Sequence, residues 1–174
     1  MDAEVLIAGA GPVGLYLAAA LLQEGVSVKV FEQRQTRNRH TRAIGVHPPA
    51  LQALAGVGVA ASMVQEGIRI STGLAVSGGK TVGTMEFGAV SKDFPFVLAL
   101  PQFRTEQLLE ERVTALDPSA IIRGANVTTV RDDGGTVTVE VESGAGATHR
   151  SATAALLVVA DGARSRLRGA LQVP

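Results

Sequence analysis

The chain has 174 residues, a net charge of zero and no cysteine. This length suits one domain, which buries roughly 70% of the surface that its unfolded chain exposes. A neutral chain with 3% aromatic residues argues against a nucleic-acid groove. The lack of cysteine excludes disulfides and thiolate metal sites, and the three histidines lack metal-ligand spacing. With no membrane-spanning apolar run and no signal peptide, the sequence predicts a cytoplasmic protein that binds neither a membrane nor a metal.

The opening stretch, VLIAGAGPVGLYLAAALLQEGVSVKVFEQR (residues 5–34), predicts a strand, a helix and a second strand. Val5–Ala8 is short and apolar, as in a strand buried on both faces of a parallel sheet. Residues 12–24 have helical periodicity and 26–30 alternate as a strand. The expected apolar face of the helix consists of Val13, Leu17, Ala20 and Leu21.

The glycines of this stretch have the spacing of a dinucleotide-binding turn. Gly9 permits a tight turn, Gly11 lets a phosphate approach the backbone, and Gly14 lets helix and strand pack closely. Pro12 suits the first helical turn. Glu32 lies 18 residues beyond Gly14, where an acid accepts hydrogen bonds from the adenosine ribose. The alternative is a loop that serves only packing, with Glu32 at a solvated strand end.

The rest of the chain predicts mixed structure. Helices are expected at 48–55 and 103–116, and strands at 68–76, 81–87, 126–130, 137–141 and 148–153. The last three form an antiparallel meander, because Val137, Val139 and Val141 alternate with polar residues. Residues 154–160 are continuously apolar and predict another buried parallel strand, followed by a short amphipathic segment.

Arginines concentrate in two segments of the neutral chain. One holds Arg34, Arg37, Arg39 and Arg42, and the other Arg164, Arg166 and Arg168. Either these segments are solvated loops, or both face an anion such as a phosphate.

Four ordered blocks resemble the FAD-dependent aromatic-ring hydroxylases of the para-hydroxybenzoate hydroxylase type. They are the glycine turn through Glu32, TRAIGVH at 41–47, LPQFRTE at 100–106 and DGARSRLR at 161–168. The chain departs from that family's pattern at Val159, where a glycine is usual, and at Gln52, where an acid is common. It also lacks the later Gly-Asp motif that holds the ribityl chain, so the resemblance implies the N-terminal part, about two-fifths, of such a hydroxylase.

The resemblance implies a set of FAD-binding residues and no catalytic acid or base. The expected cofactor-binding residues are Gly9, Gly11, Pro12, Val13, Gly14, Glu32, Gln33, Arg34, Arg42, Gln102, Asp161 and Gly162. Arg164 and Arg168 serve the nicotinamide cofactor or only anchor their loop, and both alternatives stay open.

The resemblance also implies the fold and the domains. We expect an α/β fold: a Rossmann-like FAD-binding βαβ domain with a parallel sheet, an antiparallel β-meander and part of a substrate-domain sheet. Residues 1–174 form the FAD-binding domain, in which 69–100 is a partial substrate-domain insertion.

Three functions remain open at this point. The first is an FAD-dependent monooxygenase that uses NADPH or NADH to hydroxylate an aromatic substrate, phenolic or polyketide-type. The second is a non-catalytic FAD-binding fragment or split-protein module that requires a C-terminal partner chain or a homo-oligomer. The third is another flavoprotein of this fold, such as a halogenase or an isoprenoid reductase, against which the 41–47 and 100–106 blocks argue.

Overall fold

The structure is a computed structural model that describes residues 1–37, 44–144, 148–163 and 165–171. The helices are α1 (Pro12–Gln23), α2 (Pro48–Gly56), α3 (Ala60–Glu66), α4 (Gln102–Leu116) and α5 (Arg166–Ala170). The strands are β1 (Val5–Ala8), β2 (Val28–Glu32), β3 (Gly45–Val46), β4 (Ile68–Ile70), β5 (Thr72–Ser77), β6 (Lys80–Glu86), β7 (Val97–Ala99), β8 (Ile121–Arg123), β9 (Ala125–Asp132), β10 (Val137–Ser143), β11 (Thr148–Ala154) and β12 (Leu156–Val159). Within the described ranges, no helix is both long and apolar enough to cross a bilayer.

The chain divides into two compact units. The first joins Met1–Asn38 to Leu109–Pro174, and the second is Arg39–Leu108. The predicted insertion at 69–100 lies within the second unit, and its assignment to a substrate domain stays a prediction.

A parallel sheet in the order β12-β1-β2-β8 forms the centre of the first unit. β1 is buried along its whole length, as its apolar sequence predicts, and Leu6 and Ile7 have no exposed surface. β1 is parallel to both of its neighbours: Val5 pairs with Val28 of β2 and with Leu156 of β12. The α/β fold expected from the sequence is confirmed. The short strand β8, which pairs with β2, was not predicted.

Helix α1 buries a different face from the one expected. Val13 is 70% exposed, whereas Leu15, Ala18 and Ala19 are fully buried. Gly14 belongs to the same buried face. The prediction was wrong because nearly every residue of this helix is apolar, so periodicity alone could not select the face. Small residues form the packed face, since they let the helix axis approach its neighbours.

The predicted meander is confirmed as an antiparallel sheet in the order β11-β10-β9. Val139 and Val141 have no exposed surface, and Val137 is also buried. These valines share one core with Leu6 of β1 and Phe31 of β2. The alternation in the sequence of β10 therefore marks the face that packs against the core of the first unit.

The prediction of a buried strand at 154–160 was wrong in its burial. β12 is parallel to β1, as expected, but it lies at the edge of the sheet. Leu156 is 53% exposed and the other residues of β12 are half-buried. A continuous apolar run indicates a parallel strand, but it does not distinguish an edge from the centre.

The second unit contains two smaller antiparallel sheets. One has the order β3-β7-β4, and the other is the β5–β6 hairpin. The single strand expected at 68–76 is two strands in different sheets, because Ile68–Ile70 pairs with β7 and Thr72–Ser77 pairs with β6. Helix α3 was not predicted. Its Met63 and the α2 residue Leu51 are fully buried.

Candidate functional site

The turn between β1 and α1 requires two of its glycines for packing. Gly9 has φ +111°, and a Cβ there would lie 2.5 Å from the carbonyl oxygen of Ala160. A Cβ at Gly14 would lie 2.0 Å from the Gly9 carbonyl oxygen. Real Cβ atoms do not approach so closely, and backbone at these distances cannot move aside. Gly9 and Gly14 therefore let the turn close against the neighbouring backbone.

The third glycine faces open space. Gly11 is the N-cap of α1 with φ −79°, and no side chain caps the helix. Among the described residues, nothing lies within 4 Å of a Cβ added at Gly11, and the first turn of α1 holds no acidic residue. Pro12 begins the helix, where a missing N–H costs nothing. Uncapped N–H groups and a helix dipole beside free space are suited to an anion, and the diphosphate of a dinucleotide fits this cradle.

The carboxylate of Glu32 lies beside the turn. Its Oε2 accepts a hydrogen bond of 2.9 Å from the backbone N–H of Ala10, and its Oε1 accepts one of 2.9 Å from the backbone N–H of Arg34. Glu32 is 5% exposed. The sequence predicted an acid near the ribose, but it gave no signal for these two internal hydrogen bonds.

The neighbours of Glu32 are open to solvent. Gln33 and Arg34 are both exposed. The guanidinium of Arg34 lies 3.9 Å from Glu32 Oε1, while the Arg34 carbonyl accepts a 3.4 Å hydrogen bond from the N–H of Gly124. These residues surround the carboxyl end of β2, as the sequence predicts for the adenosine side of a dinucleotide site.

The Asp-Gly pair comes to the same edge of the sheet. Asp161 and Gly162 follow β12, whose carboxyl end is parallel to that of β1. A Cβ at Gly9 would lie 3.0 Å from the Cα of Asp161. Gly162 has φ +89°, and its carbonyl accepts a 3.1 Å hydrogen bond from the N–H of Ser165. The first and last of the four sequence blocks thus meet at one site.

The remaining predicted cofactor residues are Arg42 and Gln102. Arg42 lies outside the described residues, as do Arg39 and Arg164. Gln102 is at the start of α4 in the second unit, and its Nε2 donates a 2.8 Å hydrogen bond to Glu106 Oε1.

One arginine of the first cluster is bound to a carboxylate of the protein itself. Arg37 Nε donates to Glu110 Oε2 at 2.6 Å, and Arg123 Nη2 donates to the same oxygen at 2.6 Å. Burial acts to raise the pKa of Glu110, but the hydrogen bonds from Arg123 and Arg37 outweigh it and the pKa is lowered. Glu110 was missed in the sequence, because its partners are 73 and 13 residues away.

A comparison with protein-family models identifies the family of this chain. Residues 2–174 match the family model described as "FAD binding domain". The chain belongs to this FAD-binding domain family. The resemblance drawn from the four sequence blocks is thereby confirmed.

Named relatives of this FAD-binding domain are monooxygenases. It is 34% identical to a rifampicin monooxygenase of Streptomyces venezuelae over 170 residues, covering 98% of this chain and 34% of the relative. It is 33% identical over 168 residues to an uncharacterised aromatic compound monooxygenase of Bacillus subtilis, covering 97% of this chain and 33% of the relative. The chain therefore spans about a third of the length of these relatives.

Solved structures show the same fold. The p-nitrophenol 4-monooxygenase of Pseudomonas putida superposes with a TM-score of 0.90 at 27% identity, over 97% of this chain and 43% of that one. The anhydrotetracycline hydroxylase of Streptomyces rimosus has a TM-score of 0.86 at 32% identity, over 100% of this chain and 34% of that one. The FAD-binding domain thus resembles part of each larger enzyme.

Proposed function

We propose that this chain is the FAD-binding portion of an NAD(P)H-dependent monooxygenase that hydroxylates an aromatic substrate, phenolic or polyketide-type. The observation that carries the proposal is the cradle at Gly11, where an uncapped helix N-terminus faces free space beside the buried carboxylate of Glu32. The named relatives and the family match support the reaction class. NADPH or NADH is the reductant that this reaction class requires.

Each residue of the cradle has its own proposed part in binding. Gly11 and the first turn of α1, with Pro12 and Val13, hold the diphosphate, and Gly9 and Gly14 shape the turn. Glu32 accepts hydrogen bonds from the adenosine ribose, while Asp161 and Gly162 lie at the same sheet edge. Gln33, Arg34, Arg42 and Gln102 complete the proposed cofactor set.

When bound, FAD would supply the redox chemistry of the reaction. The protein contributes binding, orientation and exclusion of water. We assign no acid or base catalyst to the side chains of this chain.

The test replaces Gly11 with alanine. Its φ of −79° suits any residue, and an added Cβ meets no atom of the described residues within 4 Å, so stability should not change. The methyl group would occupy the diphosphate's space, and FAD affinity should fall by roughly tenfold or more, the equivalent of about 1.4 kcal/mol. Flavin fluorescence titration measures the affinity.

The matched control is Gly56→Ala in α2, where a Cβ also meets no atom within 4 Å. FAD affinity should be unchanged in this variant. Competition adds a second criterion: ADP should displace FAD, because the proposed cradle holds the adenosine half, whereas FMN should not. Unchanged FAD affinity in Gly11→Ala, or displacement by FMN alone, would contradict the proposal.

A second candidate is a module that holds FAD but needs a partner chain for turnover. The observation in its favour is the exposed apolar surface of the second unit, where Leu74, Val82 and Met85 are each more than 60% exposed. The chain also spans only about a third of its relatives. A reacting flavin requires a site that excludes water, and these strands offer uncovered apolar surface instead.

NADPH oxidation with a panel of phenols separates the two candidates. For a module, the isolated chain should form no hydroxylated product, and any oxygen consumed should appear as hydrogen peroxide. Hydroxylated product in stoichiometric amount from the isolated chain would refute the module. Product that appears only at high protein concentration would indicate a homo-oligomer.

A further inference from the structure

Two successive backbone amides of the glycine turn are held by the end of β2. The N–H of Gly9 donates to the carbonyl of Phe31 at 2.8 Å, and the N–H of Ala10 donates to Glu32 Oε2 at 2.9 Å. Ala10 is 8% exposed, so water does not readily replace this acceptor. A buried amide without an acceptor destabilises the fold, and the Glu32 side chain supplies that acceptor.

We propose that Glu32 is a positioning residue for the glycine turn, in addition to the ribose contact assigned above. Its two oxygens join Ala10 in the turn to Arg34 beyond β2. The turn contains Gly9 at φ +111° and the uncapped Gly11, and glycines give it conformational freedom. The carboxylate fixes the turn before any cofactor arrives, and a turn that is already ordered binds with less loss of entropy.

The positioning role and the ribose role are compatible on one side chain. A carboxylate has about four lone-pair sites, and each oxygen of Glu32 accepts one backbone hydrogen bond. The remaining sites can accept the ribose hydroxyls. The ribose role rests on the proposed function, whereas the positioning role rests on contacts within the chain alone.

The first experiment measures the flavin-free protein. Glu32→Gln keeps the side chain's volume but leaves one oxygen, so an NH2 group opposes one of the two backbone N–H donors. Amide hydrogen exchange at Ala10, followed by 15N NMR, should become roughly tenfold faster. Glu24→Gln, on the exposed carboxyl end of α1, is the control and should leave Ala10 exchange unchanged.

A second variant distinguishes a local change at the turn from global unfolding. Glu32→Asp keeps both acceptor oxygens but is one methylene shorter, so Ala10 exchange should rise less than in Glu32→Gln. Far-UV circular dichroism establishes that each variant is folded. Ala10 exchange at the parent rate in folded Glu32→Gln and Glu32→Asp would overturn the positioning role.

The ligand experiment separates this inference from the proposed function. The probes are FAD and an FAD analogue that lacks both hydroxyls of the adenosine ribose. A carboxylate that acts only through the ribose would leave analogue affinity unchanged in Glu32→Gln, and that result would contradict positioning. We expect the variant to lose affinity for both probes, by roughly threefold for the analogue. If the parent binds neither probe while Ala10 exchange still responds to Glu32→Gln, the proposed function fails and the positioning role stands.

Discussion

The β1–α1–β2 segment and the β5–β6 hairpin both contain short strands with apolar side chains, but only the strands of the first segment are buried. Leu6 and Ile7 of β1 have no exposed surface, whereas Leu74 of β5 and Val82 of β6 are 65% and 67% exposed. β1 has a strand on each side, while β5 and β6 form a two-stranded sheet in the part of the chain that the structure describes. Both kinds of strand have apolar side chains, and the neighbouring elements determine whether those side chains are covered.

The largest expected effect tests the close packing of the first segment. Gly14→Ala places a Cβ 2.0 Å from the Gly9 carbonyl oxygen, so α1 must shift away from the turn. We expect a loss of about 3 kcal/mol in the free energy of unfolding. Urea denaturation followed by circular dichroism measures it, and Gly11→Ala is the control because its Cβ is free of contacts. Equal stability of the two variants would mean that the turn is not tightly packed.

The next prediction compares one substitution in the two kinds of strand. Val141→Ala removes two methyl groups from a side chain with no exposed surface in β10, and should cost about 2 kcal/mol. Val76→Ala in β5 removes the same groups from a side chain that is 61% exposed, and should change stability by less than about 0.5 kcal/mol. Similar losses at both positions, from denaturant titration, would show that the hairpin is covered in solution.

The smallest expected effect concerns the contact of Glu110 with Arg37 and Arg123. Glu110→Gln weakens the hydrogen bonds from Arg37 and Arg123, and should cost about 1 kcal/mol at pH 7, because both arginines are partly exposed.

Because the pKa of Glu110 is lowered in the folded protein, its contribution to the free energy of unfolding depends on pH. Its stabilisation is present above the unfolded carboxyl pKa, about 4.3, and is lost as the pH falls through the lower folded pKa. Melting temperatures of parent and variant should therefore converge below pH 4. A difference that stays constant between pH 7 and pH 3 would contradict this assignment.

Local spacing made the glycine turn predictable. Glycines and a distant acid carry their signal within one βαβ unit, so Gly9, Gly11, Gly14 and Glu32 could be read from the sequence. The family match confirms the FAD-binding domain, while the role of each residue stays a prediction.

Contacts between distant residues could not be read in the same way. Glu110 lies 73 residues from Arg37, and no periodicity joins them. Strand β8 has only three residues, too few for alternation to appear. The hydrogen bond from Ala10 to Glu32 could not be predicted either. Almost any residue can supply a backbone N–H, and the sequence does not indicate which group accepts its hydrogen bond.

The pairing of β1 with β12 sets when this fold can be completed during synthesis. Val5 pairs with Leu156. The side chain of Asp2 accepts a hydrogen bond from the backbone N–H of Thr153, which is 151 residues later in the chain. A ribosome adds about 5–20 residues per second, so β12 is synthesised roughly 8–30 s after β1. Until then, one edge of β1 has no partner strand. During that interval β1, whose four residues are all apolar, has an open edge, which is a template for wrong pairing. The growing chain is therefore most vulnerable to aggregation before residue 156 has emerged, and chaperone binding should be strongest in that window.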